Sequence, residues 1–175
     1  MTAIATLSTA AVSPTPQLCV ERREDRALVE GLVARAFGPG RLAKTAERLR
    51  EGAEPILDLS FVAWLDGRAV GCVRLWSIRI GETSALLLGP FAVEAEFRKH
   101  GLGAALIRAA CAAADKAGHE IILLVGDEPF FGPLGFHARL ARDLRLPGPV
   151  DPRRLLARER APVGAGAPAG MVRAG

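Results

Sequence analysis

Two kinds of apolar spacing alternate along the chain, and their order predicts where helices and strands lie. The segment from Asp25 to Phe37 is helical in period, and Gly38-Pro39-Gly40 ends that helix. Its inward stripe would be Leu28, Val29, Leu32, Val33, Ala36 and Phe37. A second helix is predicted from Arg41 to Arg50, with Leu42, Ala46 and Leu49 turned inward. A short first strand is predicted at Cys19-Val20, ahead of both helices.

Three strand-like runs follow the two helices. Phe61 to Leu65 and Arg68 to Ile80 are joined by Asp66-Gly67, a pair typical of two-residue hairpin turns. Ser84 to Val93 is a third, largely apolar strand that contains Gly89-Pro90. Because proline donates no N–H to a strand ladder, we expect a bulge or a splay at that pair.

The second half of the chain predicts a long helix followed by a buried strand. Gly101 to Lys116 is helical in period, with Gly118 as its C-terminal cap. The segment from Glu120 to Gly126 is fully apolar in its centre, as buried parallel strands are. A short helix is expected after Asp127, and further strands are expected from Phe136 onward and over Leu155 to Ala161.

This order of elements predicts an α+β (mixed α/β) fold: a mostly antiparallel twisted sheet with one parallel βαβ crossover, flanked by helices. We expect a disordered tail over 1–17, a single domain over 18–162, and a flexible or edge-strand segment over 163–175. No apolar run approaches the ~18–20 residues that a membrane span needs. The N-terminus lacks the basic start of a signal peptide, so we expect a cytoplasmic protein without a membrane partner.

Charge and cysteine usage narrow the function classes. The 175 residues carry a net charge of +4, and the segment from Arg139 onward has eight arginines against three acids. These arginines are scattered and lack an aromatic stacking pattern, so a solvated basic surface is the expectation and nucleic acid is an unlikely partner. Cys19, Cys72 and Cys111 are far apart, which favours reduced buried thiols. The histidines lack metal-ligand spacing, and no metal is expected.

One stretch of the sequence points to an anion. In EFRKHGLGAAL, three basic residues (Arg98, Lys99 and His100) precede Gly101 and Gly103 at the start of the long helix. A helix N-terminus presents unpaired N–H groups, and glycines let phosphate oxygens approach the backbone. On spacing alone, a plain helix start with a solvated basic rim remains open. The stretch lacks the Gly-Lys-Ser/Thr of a P-loop, and Leu106 replaces the third glycine of a dinucleotide fingerprint.

These residues resemble a known family. Arg98-x-x-Gly101-x-Gly103-Ala104, with the strand before it and the apolar helix after it, is similar to the acyl-CoA-binding signature of the GNAT N-acetyltransferase superfamily. The resemblance is close from Ser84 to Phe136 and looser before that. It implies a fold whose sheet splays apart to form a cofactor cleft.

The resemblance also implies a function and a site. Acetyl-CoA, needing no metal, would lie in the gap between the strands Ser84–Val93 and Glu120–Gly126. An amine, most simply a primary amine of a small molecule, would attack the thioester directly, and protein or peptide amines stay open. The implied cofactor-binding residues are Phe91, Ala92, Val93, Arg98, Lys99, His100, Gly101, Leu102, Gly103, Ala104, Phe130 and Phe131. Family habit makes a homodimer possible.

The chain departs from the family at the usual general acid, a tyrosine before the Gly-Phe pair. It contains no tyrosine, and Phe130 and Phe131 stand in that region. The alternative is therefore an acyl-CoA-binding module that senses or regulates with little turnover. Catalytic residues are not identified by the pattern. Asp127 and Glu94 are weak candidates for the base, with helix capping as the simpler role for Asp127 and solvation for Glu94.

Overall fold

The computed structural model describes residues 15–160 and 168–175, and eight strands form its central sheet. The strands are β1 (Gln17–Val20), β2 (Phe61–Leu65), β3 (Arg68–Ile80), β4 (Thr83–Val93), β5 (Ile121–Val125), β6 (Leu144–Arg145), β7 (Leu155–Glu159) and β8 (Gly170–Ala174). The helices are α1 (Arg26–Phe37), α2 (Thr45–Arg48), α3 (Leu102–Lys116) and α4 (Glu128–Phe131).

The sheet has the order β1-β2-β3-β4-β5-β7, and β8 pairs with both β3 and β6. The pairs along this order are antiparallel except for β4 and β5, which run parallel on either side of the α3 crossover. The predicted mixed fold, with its meander and single βαβ crossover within that order, is confirmed. The Asp66-Gly67 turn also forms as predicted, with φ of 48° and 75° at the two residues.

Helices cover both faces of the sheet because strand residues alternate between them. On one face, α3 buries Leu106, Ile107 and Ala110 against β-strand residues such as Val73 and Leu86. On the other face, α1 buries Val29, Leu32 and Val33 against β2, β3 and β4. The remainder of that second face packs on the segment around β6 and on β8.

Four sequence predictions need correction. The second helix is wrong over most of its length: Pro39–Ala43 is a 3-10 turn, Lys44 is extended, and only the four residues of α2 are α-helical. Leu42 is consequently 63% exposed. The stripe of α1 is narrower than predicted, with Leu28 and Phe37 exposed at its flanks. In place of a strand after Phe136 there is a single bridge, from His137 to Ala157, followed by a 3-10 turn.

The expected first and last segments differ slightly from their predicted limits. β1 begins at Gln17 instead of Cys19, and β7 ends at Glu159. Residues 1–14 of the expected tail and 163–167 of the C-terminal segment lie outside the described residues. The rest of that C-terminal segment contains β8, which pairs with Ile78–Ile80 of β3.

A buried ion pair stands at the centre of β3. Arg74 donates from Nε to both oxygens of Glu21, at 2.9 and 3.0 Å, and from Nη2 to Oε1. The two side chains are 6% and 1% exposed. A charge left without its partner in such a place costs several kcal/mol, because a buried side chain is poorly solvated.

Replacement of Glu21 by Gln should therefore destabilise the fold strongly. We expect the free energy of unfolding, measured by urea titration, to fall by about 3–5 kcal/mol. Glu24→Gln is the matched control, because Glu24 is 69% exposed and lies 3.7 Å from an exposed arginine; its effect should be close to zero. A loss of stability at Glu21 no larger than that at Glu24 would contradict the importance of the buried pair.

Candidate functional site

The parallel strands β4 and β5 pair over only two positions. Leu86 lies opposite Ile122 and Leu87 opposite Leu123, and the strands then separate. Beyond Leu87, β4 continues to Val93 and stays paired with β3 on its other edge. Within residues 15–160 and 168–175, no strand pairs with the β5-facing edge of this last part of β4. The result is a gap bordered by backbone, as the sequence predicted.

A bulge in β4 marks the point where the strands separate. Gly89 and Pro90 together stand opposite the single residue Arg74, as the shift of register between β3 and β4 shows. The Gly89 carbonyl accepts a hydrogen bond from Trp76 Nε1, and its φ of +124° favours glycine. A Cβ at Gly89 would also lie 2.9 Å from Nη2 of Arg50, which stacks over Trp76. The bulge is thus held in place by side chains from two other segments.

The predicted anion loop lies between the end of β4 and α3. Arg98 Nε donates to the Val93 carbonyl at 3.0 Å, which folds the loop back onto the strand. Lys99 and Gly101 adopt positive φ, of 68° and 80°, and turn the chain into the helix. In the described chain, the N–H groups of Leu102, Gly103 and Ala104 have no acceptor, and no side chain caps this helix. These groups are therefore available to an anion.

The two glycines of the loop have different surroundings. A Cβ at Gly101 would meet nothing within 4 Å, so its φ of 80°, and not a lack of space, favours glycine there. A Cβ at Gly103 would lie 2.9 Å from Phe91 Cζ and 3.5 Å from Phe130 Cζ. The expectation that a missing Cβ at Gly103 makes room for phosphate is wrong, because aromatic rings fill that space.

An aromatic cluster borders the gap. The rings of Phe91 and Phe130 are stacked with centroids 6.0 Å apart, and Phe130 meets Phe131 edge-on at 4.9 Å. Phe131 is 8% exposed and belongs to the core on the α3 side, whereas Phe130 is 44% exposed. The two residues at the expected tyrosine position therefore differ: one packs the core and the other covers the rim of the gap.

A cavity of about 470 Å³ opens beside the bulge. One wall is formed by the bulge and by Leu124–Asp127 with Phe131, and a second by Phe37 together with the segment from Arg41 to Arg50. Pro149–Asp151 and Arg154 form the third wall. A cavity of about 520 Å³ is lined by both Glu21 and Arg74. Another, of about 460 Å³, is lined by Arg74 and shares Arg41, Glu47, Arg50 and Pro90 with the cavity beside the bulge. Neither is lined by residues of β5 or of the anion loop.

The sequence did not indicate most residues of this cavity. Arg41, Lys44 and Arg50 lie in the segment predicted as a second helix, and Arg154 lies in the arginine-rich C-terminal part of the chain. They come from segments up to about a hundred residues apart, and no local pattern links them. Their grouping depends on how the chain between α1 and β2 folds over the bulge.

The two weak base candidates have different surroundings. Glu94 accepts from Arg35 at 2.8 Å and lies 3.6 Å from Arg68, and the hydrogen bond from Arg35 lowers the pKa of its carboxyl. It is ion-paired instead of simply solvated, and it does not line the cavity. Asp127 does line the cavity, but its side chain is 73% exposed and pairs with Arg154 at 3.0 Å. The predicted capping role for Asp127 is wrong, because its side chain makes no capping hydrogen bond.

The thiols and histidines add no other catalytic group to the cavity walls. Cys111 is 6% exposed, and burial raises its pKa to about 11. Burial likewise raises the pKa of Cys72 to about 12. His100 is exposed on the anion loop.

Within the described ranges, no group of three or more His, Cys, Asp or Glu side chains is arranged to hold a metal ion. In the same ranges, every helix is too short or too polar to cross a bilayer.

Comparison with known proteins places these features in a family. Residues 26–140 match the model of the Acetyltransferase (GNAT) family. Among solved structures, the GNAT family N-acetyltransferase YhbS from Escherichia coli, in complex with CoA, has a TM-score of 0.79 and 22% identity, covering 93% of this chain and 91% of its own. A GNAT family acetyltransferase from Brucella melitensis, in complex with acetyl-CoA, has a TM-score of 0.68 and 23% identity, covering 92% and 96%.

A search of curated proteins gave no match. At these identities the solved structures show the shared fold, while the family model covers well over half of the chain. The parallel pair that opens into a gap, and the helix start with free N–H groups beside it, lie within the matched region. The protein belongs to the GNAT acetyltransferase family.

Proposed function

We propose that the protein is an N-acetyltransferase that uses acetyl-CoA to acetylate a primary amine, most simply that of a small molecule. The gap between β4 and β5 is the observation that carries this proposal. Both strands line a cavity of about 470 Å³, and the free N–H groups at the start of α3 follow the end of β4 along the chain. Complexes of two structural neighbours with CoA and acetyl-CoA support the proposal.

The residues around the gap suit the chemistry of acetyl-CoA part by part. The N–H groups of Leu102, Gly103 and Ala104, with Lys99 and His100 at the rim, would hold the pyrophosphate. The unpaired edge of Phe91–Val93 would pair with the amide groups of the pantetheine arm, as an added strand does. Arg98, already bonded to the Val93 carbonyl, closes the loop, and Phe130 covers the gap.

Acetyl-CoA supplies a thioester that a neutral amine attacks directly, giving an amide and CoA. The chain contributes backbone polarity: an N–H on the free edge of Phe91–Val93 would stabilise the charge that develops on the carbonyl oxygen. Of the two carboxylates considered as bases, we retain Asp127 because it lines the cavity. Glu94 is not proposed, because it does not line the cavity and because the hydrogen bond from Arg35 lowers the pKa of its carboxyl, which weakens it as a base.

The chain contains no tyrosine, but departure of the CoA thiolate does not require one. A thiol has a pKa of ~8.5, so its thiolate leaves without obligatory protonation near neutral pH. A positioned acid contributes ~10²–10⁴-fold, which sets the scale of the loss in rate. Phe130 and Phe131 carry no ionisable group, so neither donates a proton. The alternative function, an acyl-CoA-binding module with little turnover, rests on this same observation.

Calorimetric titration with acetyl-CoA tests the binding site. We expect binding by the wild-type chain and roughly tenfold weaker binding by Gly103→Ala, since its new Cβ displaces the Phe91 ring that borders the gap. Gly31→Ala is the control, because its Cβ meets only the end of the Arg35 side chain, at 3.4 Å. A wild-type chain that does not bind acetyl-CoA at millimolar concentration would overturn the proposal.

Release of free CoA thiol over a panel of amines distinguishes the two functions. Release above the hydrolysis background is expected for an acetyltransferase. Tight binding without release for any amine would instead identify the binding module.

Cys111 offers a separate test of how the leaving group is handled. Because burial raises its pKa to about 11 and it does not line the cavity, we expect Cys111→Ala to leave the rate of CoA release within about twofold. Thermal unfolding of the variant serves as the control for folding. A hundredfold loss of rate in a folded variant would show that Cys111 acts as the proton donor.

A further inference from the structure

The cavity beside the bulge has an excess of positive charge on its walls. Its lining contains four cationic side chains and three carboxylates. The cations are Arg41, Lys44, Arg50 and Arg154, and the carboxylates are Glu47, Asp127 and Asp151. Asp151 is already neutralised from outside the cavity, because Arg153 Nη2 lies 2.9 Å from Oδ2 and the Arg153 backbone N–H bonds Oδ1 at 3.0 Å.

One carboxylate serves two guanidinium groups on the second wall. Glu47 Oε1 accepts from Arg50 Nη1 at 2.7 Å and from Arg41 Nη1 at 3.3 Å. The Arg50 side chain is 10% exposed, and its Nε is a buried donor without an acceptor among the described residues. Burial lowers the pKa of Arg50, and the charges of Arg41 and Arg74 act in the same direction. An arginine stays charged even so, and this wall therefore retains an uncompensated positive charge.

Lys44 adds a second source of positive charge. Its ammonium lies 5.5 Å from the centre of the Phe37 ring, and in the described part of the chain no carboxylate is within ion-pair distance of it. Lys44 is exposed at the cavity, so its charge is accessible to a ligand. Apolar groups, among them Phe37, Leu88, Pro90 and Phe91, line the rest of the space.

We propose that the acceptor is an amine that also carries an anionic oxygen group, a carboxylate or a phosphate, which Lys44 and Arg41 bind. This inference rests on the proposed function, since it assigns the acceptor to the cavity next to the gap. The apolar lining suits a hydrocarbon or aromatic body between the amine and the anion. A dicationic polyamine would meet like charges and bind poorly.

The same charge excess would assist the reaction. Nearby cations disfavour a protonated amine, so they lower the pKa of a bound ammonium and raise the fraction of the neutral nucleophile. The groups that face the amine are the four cations and three carboxylates of the lining. The electropositive walls thereby supply part of what a strong general base would supply, in addition to the carboxylate of Asp127.

Amines that differ only at a distant substituent test the proposal. The probes are 2-phenylethylamine, its para-carboxylate, its para-phosphate ester and its para-aminomethyl derivative, because these share one body and closely similar reacting amines. CoA release gives kcat/KM for each, and calorimetry on the CoA-saturated protein gives binding. We expect the carboxylate or the phosphate to exceed the parent amine by roughly tenfold in both readouts, and the dication to be the poorest. The better of the two anionic probes identifies the source of the anion.

Charge reversal at Lys44 tests the assigned residue. Lys44→Glu should abolish the preference for the anionic probe over the parent amine. Lys116→Glu, the same change at the exposed end of α3 and away from the cavity, should preserve that preference. Thermal unfolding establishes that both variants are folded.

The outcomes separate this inference from the proposed function. Turnover with equal rates for anionic and parent amines, or a preference that survives Lys44→Glu, would overturn the inference and leave the transferase intact. Selective binding of the anionic probe without any turnover would support the inference for the cavity and overturn the transferase. If no probe binds or reacts while acetyl-CoA binds, the anionic acceptor is excluded.

Discussion

The site depends on one backbone constraint, which is that β4 pairs on both edges over only a short stretch. Parallel contact with β5 ends at Leu87, and the bulge at Gly89-Pro90 follows at once. A bulge leaves a residue outside the ladder and bends the strand, so β4 separates from β5 while it remains paired with β3 on both sides of the bulge. The free edge from Phe91 to Val93 is a direct consequence.

Several buried polar contacts keep this bulge in its place. Arg74 stands opposite it and is neutralised by Glu21, so the strand carries a charge at its centre without an unpaired group. Trp76 Nε1 donates a hydrogen bond to the carbonyl of Gly89, and the guanidinium of Arg50 packs against Gly89. The segment that contributes Arg50 also brings Glu47 and Lys44, so the same segment contacts the bulge and forms the charged wall of the cavity.

Backbone groups supply most of the polarity of the candidate site. The N–H groups at the start of α3 and the edge of β4 depend on φ and ψ, and few particular side chains are required to present them. This is consistent with a fold shared with proteins at 22–23% identity. Side chains contribute mainly in two ways. The rings of Phe91, Phe130 and Phe131 pack against one another, and charged side chains line the cavity walls. The chemistry proposed for this chain therefore relies on placement and electrostatics more than on a dedicated acid and base.

The sequence by itself determined the elements whose signals are local: the hairpin at Asp66-Gly67, the bulge at Gly89-Pro90, the loop before α3 and the apolar strand β5. Turn chemistry and hydrophobic period act over a few residues, so they could be read without the fold. The segment from Arg41 to Arg50 was predicted as one helix because its apolar spacing is helical, but a 3-10 turn up to Ala43 and the extended Lys44 interrupt it. Only the tertiary structure decided the partner of Glu94, the ring beside Gly103 and the gathering of Lys44, Arg50 and Arg154 at one cavity. Those contacts join distant segments, and their energies depend on burial and on charges that no local pattern encodes.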